Sequence, residues 1–391
     1  MALLDQLWIR DVLVVVLVVC KFALVFRLIR STRMALLDVL VVGGFAFVFL
    51  LIRSTGMALL DQLWIQNVLV VCGFAFVFGL IRSTTKGERW QAAWKRMRRD
   101  YVGMTALVVI SLFVLVGSLE MIRVPSNEGR RTLLDLASMS IPQETEYAAP
   151  MATHAFSIAN PKPLKAPHIL GTDTLGRDTM LQTLRATRTA LIIGGLTSMI
   201  YIPIGVLLGI MAGYYKRWVD DLIQYLYSTI ASVPEILMLV AILMVLGKGL
   251  GTMSIALGIT GWVGLARLIR GETLRQTEKP YIAAAKAMGQ SDWKIITRHL
   301  LPNVMHLVVI KFVLGFSGLV LTEAVLSYLG VGAPIGTASW GGMIDASRSE
   351  LSRDPVVWWN LTSAATALFL LVLSLNIFGD SLRRAFDPRQ T

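Results

Sequence analysis

The chain has 391 residues, 55% of them hydrophobic and only 16% charged, with a mean hydropathy of +0.65, which is more apolar surface than a soluble globule of this length can bury. Its formal net charge of +12 would suggest a nucleic-acid partner in a soluble protein, but the basic residues cluster in short segments beside long apolar runs, which is how membrane topology is encoded. Composition therefore excludes a soluble nucleic-acid binder and predicts an all-α integral membrane protein, because each crossing takes about 20 apolar residues.

Residues 1–85 are repetitive: MALLDQLWIRDVLVVVLVVCKFALVFRLIRST is followed by MALLDVLVVGGFAFVFLLIRST and then by MALLDQLWIQNVLVVCGFAFVFGLIRST. Copies this similar indicate internal duplication, and their unequal lengths argue against a regular stacked array. Lys21 and Arg27 interrupt the first copy, and a charge at mid-bilayer costs a few kcal/mol. The extension is therefore expected to supply between none and three spans. Cys20 and Cys72 fall in matching copies and read as small apolar residues rather than as a disulfide framework or metal site.

From residue 86 the character changes. The basic amphipathic stretch KGERWQAAWKRMRRD precedes the first core span, 102–119, and Lys95, Arg96, Arg98 and Arg99 should hold that end in the cytoplasm. A proline-rich polar stretch, 123–188, reads as an external loop with little regular structure. Five further spans are predicted at 190–214, 222–246, 250–269, 307–329 and 358–378. Alternation from a cytoplasmic start places Lys216 and Arg217, the segment 267–298, and Arg383, Arg384 and Arg389 inside, as the positive-inside rule requires.

The cytoplasmic segment 278–302 is more than a linker. Tyr281 to Met288 is alanine-rich with a helical pattern, Gly289 breaks it, and Ser291 or Asp292 is placed to cap a second short helix. Pro302 then opens the next span. A helix, a glycine and a helix with small residues on one face suit docking into another protein's groove. In the external loop, Gly171 and Gly176 in GTDTLGRD allow a tight turn, and Asp173 is expected to cap a helix starting near Leu175. Arg177 is placed to pair with Asp173 or Asp178, so this motif reads as structural, with contact to a delivered substrate as the other reading. Trp340 reads as an interfacial anchor.

These residues carry a resemblance. YIAAAKAMGQSDWKIITRHLLPN is similar to the signature loop of the inner-membrane subunits of ATP-binding-cassette importers, in which E-A-A, three residues, Gly, nine residues and I-x-L-P are expected. Ala284, Ala285, Gly289, Leu301 and Pro302 match, whereas Ala283 stands for the usual Glu and His299 for Ile. Arg298-His299 before LLPN, HILGTDTLGRD, LTEAVLSYLGVGAPIGTASWGGMI and the ending GDSLRRAFDPR resemble the oligopeptide/dipeptide (and nickel) branch. The similarity covers residue 86 to the C-terminus and does not reach the repeats.

The resemblance implies a six-helix type I importer transmembrane domain over 86–391. It further implies a second homologous permease subunit, two cytoplasmic ATPases that use ATP and Mg, an external substrate-binding protein, and peptide cargo. ATPase docking would then fall to Tyr281, Ala284, Ala285, Gly289, Asp292, His299, Leu301 and Pro302, and the external motif to Gly171, Thr172, Asp173, Gly176, Arg177 and Asp178. Nickel complexes or another peptide-like solute are alternative cargoes.

Glu235, after Pro234, and Glu323 are ionisable residues at membrane depth and so pathway candidates, against the reading that each reaches water or an Arg near a helix end. The four histidines are isolated and no HExxH occurs, so no metal site is expected; nor does a nucleophile elbow, so no catalytic residue is expected. No phosphate-cradling G-x-x-x-x-G-K-[ST] loop occurs either, so the chain needs no cofactor of its own and any ATP is hydrolysed elsewhere. From another class, an ion-coupled secondary transporter predicts two matching halves with broken helices and no docking loop, while a scaffold leaves the Gly289 break unexplained.

Overall fold

The computed structural model describes residues 88–126, 129–132, 134, 143–144, 147–155, 163–334, 336–353 and 356–386. The expectations for residues 1–85, with Cys20 and Cys72, and for Arg389 lie outside the described residues. What is described is helical apart from one antiparallel hairpin, β1 (Arg123–Ser126) with β2 (Gly129–Thr132). That hairpin gives the proline-rich loop some of the regular structure that its sequence argued against.

The basic segment forms α1 (Glu88–Met97), which buries Ala93 and Met97 and sets Trp90 edge-on to Phe386 at 4.6 Å. Asp100 caps α2 (Tyr101–Met121), accepting from Gly103 N at 3.1 Å. Its other oxygen accepts from Ser381 at 2.7 Å and Arg384 at 3.0 Å, which ties the cytoplasmic start of α2 to the end of the last helix. The Ser381 hydrogen bond first, then the Gly103 N–H and the Arg384 guanidinium, bring the Asp100 carboxyl down to about 2.

The second core helix, α3 (Thr179–Tyr215), begins eleven residues earlier than the apolar run suggested. Asp178 caps it, accepting from Leu181 N at 2.9 Å, so the external loop ends at 178 rather than 188. The residues between, TMLQTLRATRT, look polar in isolation, yet the helix buries most of them against its neighbours. Further along, Gly205, Gly209 and Gly213 recur every fourth residue and face α6 (Leu250–Thr277). A Cβ at Gly209 would stand 2.8 Å from the Ala266 carbonyl, and one at Gly213 2.9 Å from that of Arg270. Small residues at this spacing let two membrane helices approach backbone to backbone.

The predicted span 222–246 is not one rod. It is α4 (Arg217–Ala231) and α5 (Glu235–Leu246), bent by 82°. Pro234 precedes α5 and has no N–H to continue α4, so the hydropathy runs on while the helix cannot. Arg270 of α6 clamps α4 through a two-pronged ion pair, Nε to Asp220 Oδ1 at 2.5 Å and NH2 to Oδ2 at 2.6 Å.

The remaining helices are α7 (Pro280–Ala287), the short α8 (Asp292–Ile295), α9 (Leu301–Tyr328), α10 (Trp340–Glu350) and α11 (Trp359–Phe386). A wide π turn, Ile296–Leu300, joins α8 to α9 without interrupting the rod. It sits just before Pro302, whose ring bars an ordinary bond to residue 298. Five helices of the described residues are long and apolar enough to cross a membrane, or six with the bent pair taken as one.

Two apolar clusters hold these helices together. One joins α1, α2, the first half of α3, α5, the start of α6, the end of α9, α10 and α11; the other joins the second half of α3, α4, the later part of α6, the 280–300 segment and the start of α9. Trp340 is buried in the first cluster, donating from Nε1 to the Thr183 carbonyl at 3.0 Å. It is a core residue and not an interfacial anchor.

Candidate functional site

The segment 278–302 folds as two short helices hinged at Gly289. At the end of α7, Gly289 takes φ +72°; its N–H donates to Lys286 O at 2.9 Å, and Gln290 N donates to Ala285 O at 3.1 Å. These two bonds are those of a Schellman cap, which satisfies the last carbonyls of a helix when a left-handed residue follows it. Nothing lies within 4 Å of a Cβ built at Gly289, so backbone conformation and not crowding calls for glycine here.

The inner face of the segment is apolar. Ile282, Ala285, Ile295, Ile296, Leu300 and Leu301 are buried against α3 and α6. Tyr214, at the end of α3, fastens both short helices: its hydroxyl donates to Asp292 Oδ1 at 2.6 Å, and the Lys286 ammonium lies 4.8 Å above its ring. Tyr281 donates to Gln276 Oε1 at 2.9 Å and stacks obliquely on His299, whose Nε2 pairs with Gln290 Oε1 at 3.1 Å. Asn303 closes the brace by donating to the His299 carbonyl at 2.7 Å. Ser291 occupies the cap position of α8 without a side-chain hydrogen bond.

The eight sequence-selected residues thus separate by role. Ala284, Gly289 and Pro302 face outward; Tyr281 and Asp292 are part exposed but bonded inward; His299 belongs to the brace; Ala285 and Leu301 are core. The outward surface carries Ala283, Ala284, Ala287, Met288 and Trp293 beside the exposed Lys286, Lys294 and Arg298, with Met288 72% exposed. Tyr214 and Gln290 were not singled out by sequence. Two tyrosines immediately before Lys216 at the end of an apolar run were the available sign of an interfacial anchor.

The GTDTLGRD motif is a buried polar knot. Asp173 does not cap a helix but closes its own turn, accepting from Leu175 N and Arg177 N at 2.9 Å each and pairing with Arg177 NH2 at 2.7 Å. Gly171 and Gly176 have φ +71° and +68°, and a Cβ at Gly176 would run into the Glu144 carbonyl. Thr172 exchanges hydrogen bonds with the Ala148 backbone, its O accepting from Trp359 Nε1 at 2.8 Å. Asp178 pairs with His168 Nδ1 at 2.8 Å, and Glu144 lies 3.7 Å from the other ring nitrogen.

One residue later Thr179 donates to Asn360 Oδ1 at 2.6 Å; Asn360 Nδ2 donates to both oxygens of Glu350, and Tyr147 donates to the same carboxylate at 3.1 Å. His168, Thr172, Glu350 and Asn360 are all buried. Burial, then the Glu350 charge, push the Tyr147 phenol up to about 12. The knot ties the loop to the external ends of α3, α10 and α11, which favours the structural reading of GTDTLGRD.

The two acidic pathway candidates part company. Glu323 is 1% exposed and accepts from Ser327 of the same helix at 2.7 Å, beneath the place where Gly341 of α10 meets the Ala324 backbone. Glu235 is exposed at the first position of α5, just past the bend.

Comparison with known proteins bears on both ends of the chain. Residues 205–391 match the family model described as binding-protein-dependent transport system inner membrane component. The chain is 31% identical over 300 residues to the glutathione transport system permease protein of Pectobacterium atrosepticum, covering 77% of this chain and 91% of that one. It is 30% identical over 300 residues to the dipeptide transport system permease protein of Bacillus subtilis, covering 76% and 85%. To the oligopeptide transport system permease protein of the same organism it is 30% identical over 304 residues, covering 77% and 90%.

Proposed function

We propose that this chain, which belongs to the family of binding-protein-dependent transport system inner membrane components, is the permease subunit through which an ATP-driven importer passes peptides across the inner membrane. It is a multi-pass membrane protein. Its relatives carry the names of dipeptide, oligopeptide and glutathione systems, which supports peptides and peptide-like molecules as the cargo class.

The observation that carries the mechanism is the cytoplasmic hinge: a braced, apolar-backed pair of short helices that turns small and apolar side chains outward around Gly289. Such a surface is complete on its inner side and unpartnered on its outer side, as a docking element must be. Two cytoplasmic ATPases, using ATP and Mg, supply the energy. When they close, the pair of helices moves with them, and Tyr214 and the π turn pass that movement to α3 and α9 as rigid elements. A second homologous permease completes the pathway, and an external binding protein delivers cargo against the face tied by the Asp178–Glu350 knot. Glu235, at the bend between α4 and α5, is a pathway residue in this reading.

The test is co-purification of an ATPase with the native chain and with Gly289→Pro, together with peptide-stimulated ATP hydrolysis. The native chain should bring the ATPase with it, and the variant should lose both the partner and the stimulation. A native chain that purifies with no ATPase would sink this reading and favour an ion-coupled carrier.

A further inference from the structure

In sequence, the basic residues beside the first and last spans read as two separate topology signals; the fold gathers them into one patch. α1 lies against the end of α11, with Arg96 donating from NH1 to the Ala385 carbonyl at 3.4 Å and Asp100 accepting from Arg384 at 3.0 Å. Lys95, Arg96, Arg98 and Arg99 thereby stand beside Arg383 and Arg384, and all six are exposed. The described acids at this end are Asp100 and Asp380, and the oxygens of Asp100 are already taken by Gly103 N, Ser381 and Arg384. Among the described residues Lys95, Arg98 and Arg99 are in no ion pair.

What borders the patch is apolar. Trp94 is 44% exposed under the Arg98 guanidinium, which lies 5.2 Å from its ring, and Tyr101, 84% exposed, opens α2. Aromatic side chains placed like these sit at the level of lipid headgroups. From Tyr101 the exposed residues Thr105, Val108, Leu112 and Leu115 follow at helical spacing along one face of α2, on the far side from Gly103, which packs on Ser381. The rise from Tyr101 to Leu115 is about 21 Å, more than the roughly 15 Å depth of one leaflet's hydrocarbon. Only 17% of the apolar window of α2 is buried, the smallest share among the candidate spans of the described residues. Uncompensated cations at the head of a bare apolar lane fit a ligand with an anionic head and an apolar tail.

We propose that this end of the bundle is a binding site for an anionic phospholipid, with the headgroup phosphate held by Lys95, Arg98 and Arg99 and an acyl chain lying along the 101–115 face of α2. Juxtamembrane cations beside an amphipathic helix attract anionic headgroups in this way. An acidic protein surface would answer the cations and leave the lane bare; a neutral lipid or an apolar helix would cover the lane and leave the cations unanswered. Because α1 packs on α11 and leads into α2, a lipid seated here fastens the first and last spans together. The assignment does not depend on the transport reading.

The test titrates the full-length chain, purified in detergent and stripped of lipid, with dioleoyl phosphatidylglycerol, and counts bound lipid by native mass spectrometry. Native protein should prefer it to dioleoyl phosphatidylcholine by at least about tenfold. The triple variant Lys95→Gln, Arg98→Gln, Arg99→Gln should bind phosphatidylglycerol about a hundredfold more weakly, roughly fivefold for each cation removed, with its uptake of phosphatidylcholine unchanged. The charge-preserving triple variant Lys95→Arg, Arg98→Lys, Arg99→Lys should stay within about threefold of native, which separates lost charge from lost fold. Dihexanoyl phosphatidylglycerol, which has the head without the long tails, should bind at least about tenfold more weakly than the dioleoyl form, and inorganic phosphate should displace neither. Equal uptake of the two dioleoyl lipids, native-like binding by the glutamine variant, or displacement by inorganic phosphate overturns the assignment, and equal binding of the dihexanoyl form overturns the acyl lane. A native chain that takes up no phosphatidylglycerol overturns it too and gives the face to another segment or subunit.

Discussion

The knot around Asp178 and the hinge at Gly289 are both short polar-looking stretches between spans, and they are built in opposite ways. In the knot, His168 pairs with Asp178 and Glu350 accepts from Asn360 and Tyr147, all of them buried, with His168 Nε2 left without a hydrogen bond. In the hinge, the hydrogen-bonded polar side chains brace the back of the segment, while Met288, its alanine neighbours, Lys294 and Arg298 stand exposed. A motif that satisfies itself fixes the fold; a motif left half satisfied is kept for a partner. The same distinction separates Glu323, sealed under α10, from Glu235, exposed at a bend.

The contrast can be broken by substitution. Gly289→Pro is the harshest test, because φ +72° is closed to proline and its missing N–H forfeits the bond to Lys286. ATPase stimulation by peptide should fall by at least about tenfold, with the spans still inserted and the thermal unfolding of the bundle little changed. Glu350→Ala should do the reverse: stripped of their acceptor, Asn360 and Tyr147 are buried donors without partners, and the folded state should lose about 3 kcal/mol. Denaturation in detergent reads that loss, and equal losses in the two variants would erase the distinction.

Tyr147→Phe is gentler, about 1 kcal/mol at neutral pH, and carries a pH signature. The phenol goes from its ordinary 10.0 to about 12 in the fold, so the stability it lends is whole below pH 10 and drains away as pH rises through 12. Native protein should show that alkaline loss, and the phenylalanine variant should lack this component in a stability-against-pH titration. Smallest of all is Gly289→Asn, which tolerates the left-handed conformation and meets open space. Its peptide-stimulated ATPase should stay within about twofold of native, whereas Gly289→Ala should fall further.

Much of this was legible in the residues. Apolar runs located the spans, and the Ala-rich stretch with Gly289 and the Ser291-Asp292 pair located the hinge, because helix-stop and helix-start chemistry is local. What escaped was non-local. Nothing near Thr179 announces that Asn360 and, behind it, Glu350 will meet it, and nothing in TMLQTLRATRT shows that its polar side chains will be buried by α3's neighbours. The 82° bend was signalled by Pro234, but uninterrupted hydropathy masked it. The every-fourth glycines of α3 stood in plain view; their meaning depended on which helix would face them, and only the packing decides that.

The π turn before Pro302 has one more consequence. By keeping the rod unbroken from Asp292 to Tyr328, it makes a single body of a surface on the inside and a surface on the outside. Any two ligands that each bias the position of one rigid body are thermodynamically linked, and the linkage has no preferred direction. In the proposed importer, the factor by which nucleotide closure weakens or tightens the grip on a docked carrier would be the factor by which that carrier shifts nucleotide affinity at the other end of the rod. A titration of either one reports on both.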